Sequence, residues 1–270
     1  MPELPEVETI RRGLVPLVTE SRISGLTVRE RRLRWPIAPR LSGNIAGRRI
    51  SSIRRRGKYL LLELDGGCLM IHLGMSGSLR YLPDAETPKP HDHYDIALEN
   101  GAILRYNDPR RFGSLHFTRK PNEHPLLRHL GPEPLGDDFT GEYLWRRGRG
   151  RRTAIKPFIM NGEIVVGVGN IYANEALHRA GIHPLRAAGR ISHQRMDRLC
   201  TEIRAVREDA LRSGGTTLRD FVGSDGRPGY FRQSLAVYER DNQPCRHCAN
   251  TIVRRVTGQR ATYYCATCQR

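Results

Sequence analysis

The chain has 270 residues, with 45 lysines and arginines against 28 aspartates and glutamates, and a formal net charge of +17 at pH 7. This length suits two domains or one large one, and the positive excess favours a polyanionic partner such as the backbone of a nucleic acid duplex. No apolar run is long enough to span a bilayer, and the acidic N-terminus lacks the basic region of a signal peptide. We therefore expect a cytoplasmic protein.

The first predicted element is an amphipathic helix, Pro2–Val18. Its apolar residues recur at helical spacing, as Val7, Ile10, Leu14 and Val18. Pro5 suits a first helical turn, and the glutamates suit the positive end of the helix dipole. From the pattern alone, the stretch is a well-capped helix.

A chemical interpretation of the same stretch stands beside the structural one. Removal of Met1 makes Pro2 an N-terminal secondary amine, and an α-amino group titrates at about 7.7–8.0, so part of it is nucleophilic at neutral pH. Attack of such an amine on a sugar or carbonyl carbon yields an iminium. The neighbouring Glu3 can give or take a proton.

Short strand-like runs follow the helix. Asn100-Gly101 between two of them is a strong hairpin signal. Many short strands at close spacing predict a sandwich or barrel, with the first helix packed on it. The runs are Arg48–Arg56, Lys58–Leu64, Cys68–Leu73, Ser78–Leu82, Tyr94–Leu98, Ala102–Tyr106 and Ser114–Thr118.

A segment punctuated by glycine and proline, 131–152, predicts a domain boundary with a short helix at Asp138–Arg146. Helices are predicted beyond it at Asn170–Ala180, with Asn170 as N-cap, and at Ser192–Arg212. The second helix carries one apolar stripe that indicates core packing. A glycine-rich loop, 214–230, leads into a tail that contains cysteines; such loops close over substrates in some enzymes and are plain connectors in many proteins.

The tail contains the strongest motif, Cys245-x2-Cys248-x16-Cys265-x2-Cys268. Two CxxC pairs with this gap fit a four-thiolate zinc site on two facing hairpins, with chance or disulfide pairing as the minor alternative. A site without an open coordination position is structural, and its metal would fold a tail too short to hold a core. The other two cysteines, Cys68 and Cys200, are predicted core thiols.

Several other residues have both a structural and a functional interpretation. Lys58 follows three arginines, and a crowded, partly buried lysine loses its proton more easily, although a solvated strand edge explains it too. The pair His91 and His93 gives only a weak metal signal. The loop Gly167–Asn170 opens a helix, where backbone N–H groups attract phosphate, or it is a plain loop with a cap.

Two turns carry side chains suited to wedging into a duplex. Enzymes that act on a base take it out of the stack, and apolar side chains can fill the gap. Met75 lies on one turn, and Arg110 and Phe112 lie on the other. From pattern alone, Met75 is a core residue.

The N-terminal sequence MPELPEVET closely resembles that of the formamidopyrimidine-DNA glycosylases, bacterial enzymes that remove 8-oxoguanine and ring-opened purines. The related endonuclease VIII branch has glycine where Leu4 stands here. The resemblance runs through the chain in order: the Lys58 strand, the Asn170 loop, and a zinc tail that contains Gln259-Arg260-Ala261. Four motifs in series are hard to attribute to chance.

This resemblance implies an α+β, two-domain fold. It consists of a catalytic β-sandwich domain with an N-terminal helix at 1–131, a hinge at 132–150, a helix-two-turns-helix domain at 151–235 with a lesion-recognition loop at 214–230, and a four-Cys zinc finger at 236–270.

The resemblance also implies roles for individual residues. Pro2 attacks the deoxyribose, Glu3 is the acid, Lys58 contacts the lesion's phosphate, and Arg260 binds that phosphate and assists the second elimination. One structural zinc ion is held by Cys245, Cys248, Cys265 and Cys268. DNA contacts are implied at Met75, His91, Arg110, Phe112, Arg151 and Asn170; relatives usually have lysine where Arg151 stands.

We therefore expect a monomeric base-excision repair enzyme of the nucleoid, a DNA-formamidopyrimidine glycosylase and abasic-site lyase. It would bind duplex DNA with oxidised bases in a basic cleft and cut it by β,δ-elimination through a Schiff base on Pro2. Two alternatives remain: a non-catalytic basic zinc-ribbon protein that binds DNA or RNA, and a pyrimidine-specific enzyme of the endonuclease VIII branch. The loop 214–230 favours the oxidised-purine branch over the second alternative.

Overall fold

The computed structural model describes residues 2–212 and 235–270, which divide into two compact units, 2–128 and 129–212 with 235–270. The predicted loop 214–230 lies outside the described residues, and no described residue belongs to a helix long and apolar enough to cross a membrane. The elements are α1 (Leu4–Val18), β1 (Ile23–Val28), α2 (Leu41–Ile45), β2 (Ile50–Arg56), β3 (Tyr59–Leu64), β4 (Gly67–His72), β5 (Ser78–Leu82), β6 (Asp92–Leu98), β7 (Ile103–Asn107), β8 (Ser114–Thr118), α3 (Gly141–Gly148), α4 (Ile155–Met160), α5 (Asn170–Arg179), α6 (His193–Arg212), β9 (Ile252–Thr257) and β10 (Arg260–Cys265).

The first unit is a β-sandwich, as predicted. Its two four-stranded antiparallel sheets have the orders β1-β6-β7-β5 and β2-β3-β4-β8. Side chains from both sheets and from α1 form one buried apolar cluster. The sandwich is held by this shared core because each sheet has an apolar face that must be covered. Members of the core include Ile10, Leu14, Leu60, Leu62, Ile71, Ile96 and Leu104.

Two elements of this unit are absent from the sequence prediction, β1 and α2. In β1 only the first residue, Ile23, is buried, and Gly25 interrupts the strand, so its sequence has no clear alternation. Its order comes from antiparallel pairing with β6. Helix α2 has only five residues, fewer than the length at which periodicity is informative.

Helix α1 buries the four residues that the pattern selected, Val7, Ile10, Leu14 and Val18, each at most 1% exposed. The helix begins at Leu4 rather than at Pro2, because Glu3 has extended backbone and is the N-cap. Pro2 thus precedes the helix and is buried beside its first turn.

The second unit consists of helices and a cysteine-containing tail. Helix α3 begins later than predicted because the Thr140 hydroxyl accepts from the Tyr143 amide at 3.0 Å and fixes the cap there. Helix α6 buries the predicted apolar stripe, which comprises Met196, Leu199, Ile203, Val206 and Ala210. The short helix α4 is absent from the sequence prediction.

In the tail, β9 and β10 form an antiparallel hairpin. Its two turn residues, Gly258 and Gln259, have φ of +57° and +61°, as a type I′ turn requires. The tail's own core is small and includes two of the motif cysteines, Cys245 and Cys265. A module with so few apolar contacts gains stability from a bound metal.

Candidate active site and DNA-binding residues

The N-terminus of α1 is fixed by a carboxylate. The Glu6 side chain accepts a hydrogen bond from the Glu3 backbone N–H at 2.8 Å. The Val7 amide donates to the Glu3 carbonyl at 3.2 Å. Glu3 and Glu6 are each 2% exposed. These contacts orient the backbone next to Pro2, and the positive end of the helix dipole lies at the same place.

Glu8 connects the same helix to the sandwich. Its carboxylate accepts from Arg11 at 2.8 Å and Arg12 at 3.0 Å on α1, and from Arg55 on β2 at 3.1 Å. Burial by itself would raise the pKa of Glu8, but the hydrogen bonds and charges of these arginines outweigh it and lower the pKa from 4.5 to about 2. The ionised carboxylate therefore joins α1 to the strand that leads to Lys58.

Lys58 lies in the β2–β3 turn, half-buried, where the preceding Gly57 has φ of +56°. The register of β3 on β4 pairs the next residue, Tyr59, with His72, and their rings are 4.7 Å apart. The His72 Nδ1 accepts from the Gly74 amide at 3.0 Å. Burial, with the positive charge of Lys58 adding to it, lowers the pKa of His72 to about 4, so this histidine is neutral at neutral pH.

The residues proposed to wedge into DNA lie on two turns of the sandwich. Met75 is half-buried after β4, and Phe112 is 40% exposed after β7. The Arg110 guanidinium lies 4.9 Å from the centre of the Phe112 ring, which is a cation–π contact. The contact places the exposed Phe112 ring beside the positive charge of Arg110, and that charge is suited to binding phosphate.

One fully buried carboxylate, that of Asp108, connects these two turns. It accepts from the Ser76 hydroxyl at 2.7 Å, from the Tyr106 hydroxyl at 3.0 Å and from the Gly113 amide at 2.9 Å. A Cβ at Gly113 would lie 1.7 Å from the Tyr106 hydroxyl oxygen, so only glycine fits there. Sequence reasoning missed this cluster, because a short Asp-Pro turn looks like any other loop.

Among the described residues, none joins the His91-Asp92-His93 segment to complete a metal site. Asp92 accepts from the Lys89 amide at 2.7 Å, and His93 Nε2 lies 2.7 Å from the Asp108 carbonyl oxygen, so both are used structurally. His91 is exposed with φ of +71°. Among the residues that the structure describes, the one cluster of metal-ligating side chains is that of the four cysteines.

Asn170 is the first residue of α5, and Gly169 is the N-cap, which corrects the predicted capping role of Asn170. Gly167 has φ of +71° and turns the chain into the helix. The Asn170 Oδ1 is buried and has no hydrogen-bond partner among the described residues. The side chain is thus not used for a cap and has capacity for a ligand.

Strand β10 is held from two sides, by residues that the sequence prediction missed. The Lys156 ammonium, on α4, donates to the Ala261 carbonyl at 2.7 Å and to the Thr262 hydroxyl at 2.8 Å. The Asn174 side chain, on α5, accepts from the Tyr263 amide at 2.9 Å. The only signal for Lys156 in the sequence is a lysine among apolar residues.

Two arginines that the sequence analysis assigned to phosphate or DNA contacts, Arg260 and Arg151, are exposed. Arg260 follows the hairpin turn directly, at the first position of β10. Arg151 lies after α3, where the Gly189 amide donates to its carbonyl at 3.0 Å. An exposed guanidinium beside fixed backbone is suited to a phosphate contact.

The four motif cysteines have the geometry of a tetrahedral thiolate site. Their sulfur atoms all lie within 4.8 Å of one another. The Cys245–Cys268 and Cys248–Cys265 sulfur separations are 3.9 and 3.4 Å. A zinc ion with bonds of about 2.3 Å to four sulfurs requires sulfur separations of about 3.8 Å. The donor set and its spacing therefore fit one zinc ion.

Comparison with known protein families gives three consecutive matches. Residues 1–115 match the N-terminal domain of formamidopyrimidine-DNA glycosylase, and residues 130–222 match its H2TH domain. Residues 242–270 match a zinc finger found in FPG and IleRS. Together they span most of the chain.

Curated relatives match the chain over its full length. Formamidopyrimidine-DNA glycosylase from Syntrophotalea carbinolica is 56% identical over 271 residues, with 100% of each chain covered. The protein of the same name from Xanthomonas campestris pv. campestris strain B100 is 54% identical, again with 100% of each covered.

Solved structures agree with these relatives. The MutM (Fpg) protein of Thermus thermophilus matches with a TM-score of 0.89 and 39% identity, covering 99% of this chain and 98% of the other. A Lactococcus lactis Fpg in complex with DNA that contains an abasic site matches with a TM-score of 0.90 and 30% identity, covering 99% of both chains.

A buried Pro-Glu N-terminus on a sandwich, followed by these helical and four-cysteine modules, defines a DNA glycosylase of base-excision repair. The chain belongs to the formamidopyrimidine-DNA glycosylase family. This excludes the alternative of a non-catalytic zinc-ribbon protein, because the matched N-terminal domain is the glycosylase domain.

Proposed function

We propose that the protein removes oxidised purines, 8-oxoguanine and formamidopyrimidines, from duplex DNA and then cleaves the abasic site. The observation that carries this proposal is the buried Pro2-Glu3 pair at the N-terminus of α1, where the Glu3 amide is bound by Glu6 at 2.8 Å. Supporting it, a Lactococcus lactis relative has been solved with DNA containing N7-benzyl-Fapy-dG.

The first step is displacement of the base. After loss of Met1, the nitrogen of Pro2 attacks the anomeric carbon of the extruded nucleotide, and the bond from that carbon to the base breaks. The base leaves with the electron pair of that bond and takes up the proton that the Pro2 nitrogen loses after its attack. Glu3 then protonates the ring oxygen of the sugar, which opens the ring and leaves an iminium on Pro2.

The second step is strand cleavage. The iminium draws electrons and acidifies the adjacent C–H of the sugar, so a base can remove that proton while the 3′ phosphate leaves with its electron pair. In a second elimination, a base removes the proton from the sugar carbon next to the one that bears the 5′ phosphate, and that phosphate leaves with its electron pair. Arg260 and Lys58 would bind phosphate oxygens and stabilise the charge that develops there. Water then hydrolyses the imine and frees Pro2.

DNA binding would use the exposed cations and the Asn170 loop. We assign phosphate contacts to His91, Arg110, Arg151 and Asn170, in agreement with the exposure of His91 and the two arginines; Asn170 would donate to the phosphate through its side-chain N–H group. Met75 and Phe112, with Arg110, would fill the gap left by the flipped nucleotide. We take the protein to act as a monomer on nucleoid DNA.

The four cysteines would hold one structural zinc ion. Bound there, the metal supplies folding energy and takes no part in bond changes, since four thiolates leave no open position. It would fix the β9–β10 hairpin, and so the backbone that carries Arg260.

The decisive experiment is reductive trapping on abasic duplex. Borohydride should convert the imine into a stable covalent adduct, and peptide mapping should place the DNA on Pro2. The matched control is the same protein with an N-terminal extension that blocks the amine. Trapping by the blocked protein, or none by the processed protein, would exclude Pro2 as the nucleophile. Mass spectrometry of the N-terminus establishes how much Met1 is removed.

The oxidised-purine assignment needs a test of its own. Single-turnover excision should be faster on duplexes with 8-oxoguanine than on duplexes with thymine glycol. Faster thymine glycol excision would assign the protein to the pyrimidine-specific activity of the endonuclease VIII branch instead.

A further inference from the structure

A histidine outside the cysteine motif contacts one of its sulfur atoms. The Nε2 of His178, in the last turn of α5, lies 3.7 Å from the Sγ of Cys245. Cys245 is 3% exposed. The distance is within the range of a hydrogen bond to sulfur, which is longer than one to oxygen because the sulfur atom is larger.

The surroundings of the imidazole determine the direction of this bond. The His178 Nδ1 is buried and has no hydrogen-bond partner among the described residues. A thiolate that binds metal carries no proton and is an acceptor only, so the proton of the bond must be on Nε2. The imidazole is therefore the donor.

Cys245 is thereby distinguished from the cysteine at the other end of its CxxC pair. Its sulfur lies 3.5 Å from the His247 amide as well as 3.7 Å from His178. The sulfur of Cys248 is reached by Asn250 of its own loop, through the backbone N–H and through the side-chain nitrogen at 3.6 Å. Each N–H that points at a thiolate withdraws negative charge from it and fixes its position.

Helix α5 also holds the tail at two places away from the sulfurs. Glu175 accepts from the amides of Ala236 and Val237 at 2.8 and 2.9 Å, and Asn174 accepts from Tyr263. Of the described contacts between α5 and the tail, the one from His178 reaches a cysteine sulfur. The opposite end of the helix carries Asn170, so the metal site and the Gly167–Asn170 turn are connected by one helix.

We propose that His178 donates a hydrogen bond through Nε2–H to the Cys245 thiolate and is a positioning residue for the metal site. The inference rests on the structural zinc of the proposed function. A cavity of about 480 Å³ lined by His178, His247 and Cys268, among others, lies beside this bond and gives a small chelator a route to the thiolates. Removal of this N–H group should therefore first increase the rate at which zinc is released.

The test compares three substitutions in the full-length, zinc-loaded protein. His178→Phe removes the donor and keeps a ring, whereas His178→Gln keeps an N–H near the position of Nε2. The control is His183→Phe, since His183 packs against Tyr264 of the same hairpin at 4.6 Å between ring centres. Circular dichroism checks that each variant is folded.

We expect zinc release to a colorimetric chelator to be about tenfold faster in His178→Phe, with wild-type rates in His178→Gln and His183→Phe. In the cobalt-substituted protein, His178→Phe should shift the thiolate-to-cobalt charge-transfer band to lower energy, because the thiolate becomes more electron-rich. A purely structural role would leave that band unchanged.

Equal release rates and an unshifted band in His178→Phe would overturn the role of His178 while leaving the zinc site intact. Wild-type protein purified without zinc, by elemental analysis, would instead contradict the zinc site of the proposed function.

Discussion

The carboxylate of Asp108 accepts a hydrogen bond from the hydroxyl of Ser76 at 2.7 Å, which joins the turn that carries Met75 to the turn that carries Phe112. Because Asp108 is fully buried and also binds the Gly113 amide, the two turns are held in one arrangement. The buried side chain of Asp108 thus positions both turns that carry Met75 and Phe112, the residues proposed to fill the gap in the duplex.

Asp108→Asn should disturb this arrangement, because the amide end of asparagine cannot accept every bond that the carboxylate accepts. A buried polar group left unsatisfied costs about 1–3 kcal/mol. We expect slower single-turnover excision of 8-oxoguanine, with a smaller effect on cleavage of a preformed abasic site, where base extrusion is not required. Asp84→Asn, at an exposed position, is the control. Equal losses on the two substrates would contradict a role in extrusion.

Asn170→Ala should weaken binding to every duplex, damaged or not. A phosphate contact carries no base information, and a hydrogen bond to a charged group contributes about 1.5–3 kcal/mol, so affinity should fall by roughly one to two orders of magnitude. Fluorescence anisotropy at fixed salt measures it, with the exposed Asn44→Ala as control. A loss confined to one lesion would show that Asn170 contacts the base instead.

Lys156→Met should impair catalysis without loss of metal. The variant keeps the shape of the side chain but removes its bonds to Ala261 and Thr262, which lie directly after Arg260. We expect slower strand cleavage together with full zinc content by elemental analysis. Lys120→Met, on an exposed lysine, is the comparison. Unchanged cleavage in Lys156→Met would show that these bonds do not affect Arg260.

Cys265→Ser should abolish zinc binding and, with it, DNA binding, because the fully buried thiolate is part of both the metal site and the tail's core. The matched variant is Cys200→Ser, a buried thiol outside the motif, which should keep its zinc. Zinc stoichiometry and anisotropy decide the outcome. Retained zinc and affinity in Cys265→Ser would refute the structural role of the metal.

The arginines around Glu8 predict a pH dependence. Its pKa falls from 4.5 to about 2 in the folded protein, so the folded state favours the ionised form. The stabilisation is complete above pH 4.5 and is lost as the pH falls towards 2. Thermal unfolding at a series of pH values should show a smaller loss of stability over this interval for Glu8→Gln than for the wild type. Parallel curves would show that Glu8 does not contribute.

The N-terminal helix and the metal motif were predictable because their signals are local. The burial of Val7, Ile10, Leu14 and Val18 follows from spacing along one helix, and the four-cysteine cluster follows from the spacing of two CxxC pairs. Strands β5 (Ser78–Leu82) and β8 (Ser114–Thr118) were predicted with the bounds that the structure has. Such segments carry enough apolar residues to be recognised without their partners.

Lys156 and Asn174 were not predictable, since their partners lie far along the chain, and the role of Asp108 was not predictable because its bond to Ser76 spans 32 positions. The Lys156 ammonium forms hydrogen bonds with Ala261 and Thr262, which lie 105 and 106 positions further along the chain. The Asn174 side chain forms one with Tyr263, which lies 89 positions further along. In the sequence each is an ordinary polar residue. Folding takes these groups out of water, and burial makes each compensating hydrogen bond obligatory.

The sequence by itself determined the N-terminal Pro-Glu motif, the four-cysteine motif and the order of the modules, because each is recognised from residues close together in the chain. The tertiary structure alone decided which polar side chains orient those groups: Glu6 at the Glu3 amide, Asp108 beneath the two turns, and His178 at the Cys245 sulfur. Hydrogen bonds have strict limits of distance and angle, and only the packed chain brings the atoms within them.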